Sequence, residues 1–399
     1  MPVGRRVLFV SHDPNLGTGL GRVSAQLLAA AAGAGHVVDA VGIGGRSLAA
    51  VARRPSPGVR VTPVGTDPGE AAAATAALIA AARPELLVTF GDPWLAEWAP
   101  PVLDEVSPNR RPRWLAYFPI DAAPFPPEWR AWAAAANATA VTSDFSRRAV
   151  RDGTGGAVDP AVLYHGVDLR AFAPPPGGDK RPARARVGLP VDAFVVGTVA
   201  ANQPRKNLPA LVDAFARFAA DKPDAWLYLH CPAVGTWDLA ELVASAGVEP
   251  RTRVTLMSDP AVGLPDGALA DVYRSFDAFA LSTTGEGFGL PLIEAQACGV
   301  PAVATDCSAC PELLADRSLA ARVRAVEPAG RGVGRALVDE ADLAAKLDHL
   351  YRNPHDAPAR ADVARRFAER FGWPRINDQF LAILRAALDD APADATATY

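Results

Sequence analysis

DAFALSTTGEGFGLPLIEAQACGVPAVATD, residues 277–306, is the stretch whose reading decides the fold. Its apolar start has strand length and ends near Thr283. The loop TGEGFG follows, and a helix begins near Leu290, with Pro291 in the first turn where a missing N–H costs little. Gly287 and Gly289 permit close backbone approach. A helix start with free N–H groups and a positive dipole end receives anions, so a diphosphate fits there. Two carboxylates bracket the position, Glu286 in the loop and Glu294 about one turn into the helix. Like charge keeps both off the phosphates. Both accept hydrogen bonds from hydroxyls, one serving a donor sugar and the other a ribose.

The same alternation of short apolar runs and amphipathic stretches extends in both directions. Towards the N-terminus it includes RRVLFVSHD, VVDAVGI, ELLVTF, RWLAYFPI, ATAVTS and AVLYHG as strands. GLGRVSAQLLAAAAGAG reads as a helix with Val23, Leu27, Leu28 and Ala31 on one face. AFVVGTVA, AWLYLHC, RVTLMS and PAVATD continue the strands in the second half. Such a pattern argues for parallel sheets with helices on both faces. The stretch AFAPPPGGDKRPARARVGLP, residues 171–190, is rich in Pro, Gly and basic residues and has no clean period. The expected layout is therefore an N-terminal domain over 1–172, a linker over 173–191 and a C-terminal domain over 192–370, with a final helix near 373–390. A polar tail, DDAPADATATY, is expected to fray. Ligands of doubly wound sheets bind beyond the carboxyl ends of the strands, and two such edges facing each other would form a cleft.

Composition narrows the function. The 399 residues suit two domains, half are hydrophobic, and the net charge of -4 gives no global field for gripping nucleic acid. No run of about 18 apolar residues is present, so no membrane-spanning helix is expected. The apolar run after Arg6 is about five residues long, short of the roughly 7–15 of a signal core, so it reads as a first strand and the protein as cytoplasmic. Of the four cysteines, Cys307 and Cys310 form a lone CxxC without the second ligand pair a zinc site wants. They read as small core or loop residues.

GEGFGLPLIEAQACGVP resembles the signature of the family 4 glycosyltransferases, retaining enzymes of the GT-B fold, which carry two glutamates with seven residues between them, as Glu286 and Glu294 have here. LGTGLGRVSAQLLAAAAGAGHVV is similar to the family's first glycine loop and helix. VTSDFSRRAVRDG and LYHGVD are similar to its segments before the linker, and FGWPRINDQFLAIL to its final helix, which crosses back onto the N-terminal domain. The resemblance implies that Glu294 binds the ribose hydroxyls. It implies that Glu286, with the backbone of Gly287, Phe288, Gly289 and Leu290, holds the donor sugar and phosphate. Phe288 reads equally well as a packing residue. The family needs no metal and no other cofactor.

Charge developing on a departing diphosphate needs cations. Arg205 and Lys206 in VAANQPRKNLPALVDAF stand at a strand's carboxyl end, before a helix led by Asn207. Family members usually carry an arginine five residues before the lysine; here that place is Ala201, and Arg205 is the candidate substitute. In GTGLGR, residues 17–22, Arg22 stands where a dinucleotide fingerprint wants glycine. The resemblance places Gly19 near the donor diphosphate, against the plainer reading of a tight turn. Asp121 in YFPIDAAPFPPEW takes the place of a family histidine near the donor sugar, or else caps the PFPPEW turn. Trp94, Trp98 and Trp129 read as core packing before acceptor stacking. His36 and His165 are not assigned as bases.

The expected function is retaining, metal-independent transfer of a sugar from a nucleotide-diphosphate sugar to a hydroxyl of a small molecule, glycolipid or glycan. The alternatives are a noncatalytic nucleotide-sugar-binding protein, or a sugar phosphorylase or epimerase on the same fold. ARARV in the linker leaves peripheral membrane contact open, and the sequence does not fix the oligomeric state.

Overall fold

The computed structural model of the chain describes residues 4–45, 58–232, 235–255 and 263–389. The polar tail and the end of RVTLMS lie outside them. The described residues divide into two compact units, one holding those within 4–166 and 373–389 together with Gly263, the other those within 167–255 and 264–372.

The first unit is built on strands β1 (Arg6–His12), β2 (Val37–Ile43), β3 (Val59–Val64), β4 (Leu86–Phe90), β5 (Arg113–Phe118), β6 (Ala138–Val141) and β7 (Ala161–Val162). They pair in parallel in the order β3-β2-β1-β4-β5-β6-β7. The inner strands are buried along their length, as β4 is throughout, because parallel strands are covered on both faces. β3 was not legible in the sequence. It is an edge strand, half exposed, with a proline, and so lacks the apolar run of its neighbours. The last helix, Trp373–Asp389, also belongs to this unit. Phe380 packs edge-on against Phe9 of β1, with ring centroids 6.0 Å apart. Arg113 of β5 donates to the Ala387 carbonyl at 2.6 Å.

The second unit repeats the plan. Strands β8 (Phe194–Val199), β9 (Ala225–His230), β10 (Thr252–Thr255), β11 (Ala278–Leu281), β12 (Ala302–Thr305) and β13 (Ala320–Ala321) pair in parallel in the order β10-β9-β8-β11-β12-β13. A core of Val196, Leu227, Ala280 and Val303 from the sheet packs on Leu211 and Phe215 of one helix and on Leu343 and Leu347 of another. A separate hairpin of β14 (Val323–Pro328) and β15 (Gly334–Val338) escaped the sequence reading, because β14 is almost wholly exposed and mixes apolar residues with Arg324 and Glu327. Each strand order reverses direction once, between β1 and β4 and between β8 and β11. At such points the loops beyond the carboxyl ends part and leave room for a ligand.

The segment expected to be a linker is a built part of the second unit. Contacts divide the chain after Gly166, earlier than residue 172, and residues Arg181–Val187 form a helix closed by left-handed Gly188. Its basic residues are all paired, and Arg184 is withdrawn from solvent. Buried Arg184 donates to Asp277 at 2.5 Å, Lys180 to the same carboxylate at 2.9 Å, and the Val195 amide of β8 to it at 2.8 Å. Truncating Asp277 to Ala would leave the Arg184 guanidinium buried without its counter-charge, an expected loss of about 3 kcal/mol. Urea denaturation checks the loss. Limited proteolysis should then cut the variant within 173–191 where the wild type resists; equal resistance would mean that other contacts hold the segment.

Candidate active site

The loops beyond β8 and β11 flank the reversal point of the second sheet, and backbone bonds tie them together. The Thr284 amide donates to the Arg205 carbonyl at 2.8 Å, and the Thr283 hydroxyl donates to the same carbonyl at 3.1 Å. The Ser282 hydroxyl lies 2.8 Å from the Asn207 carbonyl, to which it donates. Asn207 itself has left-handed dihedrals (φ 46°), which turn the chain from the short Pro204–Lys206 turn into the helix Leu208–Ala219. Two segments some 80 residues apart in sequence thus become one wall, through hydroxyls that satisfy backbone carbonyls at the sheet edge.

That wall carries an ion cluster. The Glu286 carboxylate is buried. It accepts from Lys206 Nζ at 2.5 Å and pairs with an Arg205 guanidinium nitrogen at 2.8 Å. The same Arg205 nitrogen donates to the Gly285 carbonyl at 2.6 Å. Burial pushes the Glu286 pKa up, but the charges and hydrogen bonds of Arg205 and Lys206 outweigh it and hold the group at about 2. Lys206, also buried, lies below the usual lysine range. Burial lowers it, Glu286 restores part, and Arg205 lowers it again. One negative and two positive charges leave the cluster with a surplus positive charge in a poorly solvated place.

The adjoining helix, Leu290–Ala297, starts after Gly289, whose φ of 112° excludes side chains that need negative φ, and has Pro291 in its first turn. Glu294 is buried on this helix and accepts a hydrogen bond from the buried Tyr273 hydroxyl at 2.7 Å. The sequence reading missed Tyr273, which looks like one more apolar-face residue of its helix, Asp266–Arg274. Phe288 is buried edge-on against Phe371, with centroids 6.0 Å apart, so its ring packs in the core. The structure therefore brings Arg205, Lys206, Glu286, Gly287, Phe288, Gly289, Leu290 and Glu294 into one region of the second unit.

The other candidates lie in the first unit. Gly19 opens the helix Gly19–Gly33 in an exposed position, after Thr18, which caps it by accepting from the Gly21 amide at 3.1 Å. The close approach falls on Gly21, where a Cβ would lie 2.5 Å from the Leu16 carbonyl oxygen. Asp121 is half-buried, three residues past the end of β5. His165 is buried beside the Tyr117 hydroxyl at 3.0 Å, and burial lowers it to about 3, which suits a neutral packing residue. Trp94 is exposed, and Trp129 is buried with its indole N–H on Glu97. Cys307 and Cys310 are free thiols. Among the described residues no group of three or more His, Cys, Asp or Glu suits a metal ion, and no helix is long and apolar enough to cross a membrane.

Residues 192–353 match the family model for Glycosyl transferases group 1, and the two Rossmann-like units have the GT-B fold. The chain is 33% identical over 274 residues, 65% of its own length, to a D-inositol 3-phosphate glycosyltransferase of Kineococcus radiotolerans. The match spans 59% of that relative. In fold it resembles sucrose-phosphate synthase from Thermosynechococcus elongatus, with a TM-score of 0.76 at 20% identity over 97% of this chain and 100% of that one. It also resembles Anabaena HepE solved with UDP and glucose, with a TM-score of 0.73 at 18% identity over 96% and 100%.

The ion cluster sets a pH dependence. The folded pKa of Glu286 is lowered, so its contribution is full above the ordinary carboxylate value near 4.5 and is lost as pH falls through about 2. That shift corresponds to about 3 kcal/mol at neutral pH. Glu286→Gln should cost on the order of 3 kcal/mol in urea denaturation at pH 7 and much less near pH 2. A penalty independent of pH would show that the charge is not what the cluster stabilises.

Proposed function

We propose that the chain is a retaining, metal-independent glycosyltransferase that moves a sugar from a nucleotide-diphosphate sugar to a hydroxyl acceptor. The observation that carries this reading is the surplus positive charge of Arg205 and Lys206 around buried Glu286, beside the start of a helix. A cation cluster left one charge short of neutrality, next to a positive dipole end, suits a phosphate group whose negative charge grows as a bond to it breaks. The match of residues 192–353 to the Glycosyl transferases group 1 model and the UDP named with HepE support the same donor class.

In this reading the diphosphate lies against Lys206, Arg205 and the backbone from Gly287 to Leu290. Arg205 stands in for the cation that Ala201 cannot supply. Glu286, held ionised, accepts from a donor-sugar hydroxyl with the lone pairs its cations leave. Glu294, oriented by Tyr273, accepts from the ribose hydroxyls. The C1–O bond to the diphosphate breaks, the C1–O bond to the acceptor forms on the same face, and the acceptor proton passes to the departing phosphate oxygen. Protein nucleophile and metal have no step here, and neither do Gly19 and Asp121. The acceptor is a hydroxyl of a small molecule, glycolipid or glycan.

Thermal-shift screening with UDP, ADP and GDP and their hexose conjugates tests the donor class, since a ligand that binds only the native state raises its stability. One nucleotide series should stabilise the chain selectively. In turnover with that donor, Lys206→Ala and Arg205→Ala should each lose at least about a hundredfold, the scale of a lost charge-stabilising contact. NMR of the product should show the donor's anomeric configuration. Full activity in both variants, or an inverted product, would end this reading.

A further inference from the structure

The turn after β12 contains a residue in a costly conformation. Ser308 has φ 47°, in the left-handed region that costs a side-chain-bearing residue roughly 1–3 kcal/mol. It occupies the second position of a four-residue turn closed by the Cys310 amide donating to the Cys307 carbonyl at 3.0 Å. A glycine would adopt this geometry without penalty. A serine there is explained by what its hydroxyl does.

Ser308 Oγ accepts from the Glu286 amide at 2.7 Å. The next residue completes a second grip, with the Ala309 amide donating to the Glu286 carbonyl at 3.3 Å. Both backbone polar groups of Glu286 are therefore held by one turn. The hydroxyl points its own proton at the Cys307 sulfur, 3.8 Å away, and that thiol reaches the Thr283 carbonyl at 3.7 Å. A chain of hydrogen bonds thus runs from the loop beyond β11, through Cys307 and Ser308, to the backbone of the buried carboxylate. It approaches Glu286 from the side of residues 307–309, whereas Arg205 and Lys206 hold the carboxylate itself.

We propose that Ser308 is a positioning residue for Glu286, resting on the donor-site reading above. Its hydroxyl fixes the Glu286 backbone so that the carboxylate meets its two cations and keeps its remaining lone pairs directed at the donor sugar. With its amide engaged by Ser308, Glu286 offers a ligand its carboxylate only. The strain of the turn is retained because the hydroxyl must be delivered at that point. The consequence is specific: loss of the hydroxyl harms recognition of the sugar and leaves recognition of the nucleoside diphosphate intact.

Ser308→Gly removes the hydroxyl and relieves the strain, so its melting temperature should equal or exceed that of the wild type. Two measurements on the full chain then decide. Residue-resolved hydrogen exchange should show the Glu286 amide losing about tenfold in protection, the worth of one hydrogen bond. Calorimetric titration with UDP and UDP-glucose, or with the ADP or GDP pair if the screen selects it, should show the conjugate losing about tenfold while the diphosphate is unchanged. Unchanged protection at Glu286, or equal losses for diphosphate and conjugate, overturns the proposal. If the wild type binds no member of the panel, the donor reading has failed, and exchange at Glu286 alone decides whether Ser308 positions it. Ser308→Ala, which lacks the hydroxyl and keeps the strain, should match the glycine variant in exchange and melt lower; wild-type exchange in this variant would also overturn the proposal.

Discussion

A carboxylate out of water is tolerable only with partners, and the second unit is organised around supplying them to Glu286. Lys206 and Arg205 reach it from a loop some 80 residues earlier, so the loops beyond β8 and β11 must lie side by side. The strand order provides that, since β8 and β11 are neighbours at the reversal of the sheet. The hydroxyls of Ser282 and Thr283 then fasten one loop to the other through backbone carbonyls. Removing both cations would leave the buried carboxylate uncompensated, a far larger penalty than the gain from any one bond in the loop.

The second carboxylate is handled differently. Glu294 sits on a regular helix and takes its orientation from a neutral donor, the Tyr273 hydroxyl. A tyrosine fixes direction without neutralising charge, which suits an acceptor aimed at hydroxyls. Glu286 is locked by full charges, which suits a group that must stay ionised close to an anion. Two glutamates in one short motif are thus held by different partners, Glu286 by Arg205 and Lys206 and Glu294 by Tyr273, each from another element.

The residues most legible in the sequence were those whose role is local. Parallel strands buried on both faces read as apolar runs, so β1, β4, β8 and β11 stood out, and Gly289 with Pro291 announced the helix start. Elements carried by exposure or long-range pairing did not. β3 lies at an edge and β14 is exposed, so neither shows a burial pattern. The basic stretch around Arg184 looked like a linker because its partner, Asp277, lies 93 residues away. Arg205, Lys206 and Glu286 were each nominated, but as separate features. That the cations pair with the carboxylate, and are not simply set aside for phosphate, is a fact of the fold. Tyr273 and Ser308 gave no signal, since an aromatic on an apolar helix face and a serine in a turn are ordinary at sequence level.

Two features of the second unit are unfavourable for folding alone. The cluster buries a surplus positive charge, and Ser308 holds a strained backbone where glycine would be relaxed. A sequence shaped only for stability would carry apolar residues in place of Glu286, Lys206 and Arg205 together, and a glycine at 308. Both costs fall on the same carboxylate, one at its side chain and the other at its backbone amide. Independent penalties scattered over a surface would say little. Their meeting at one buried group, at the reversal point of a doubly wound sheet, is the pattern left when local rules yield to a site.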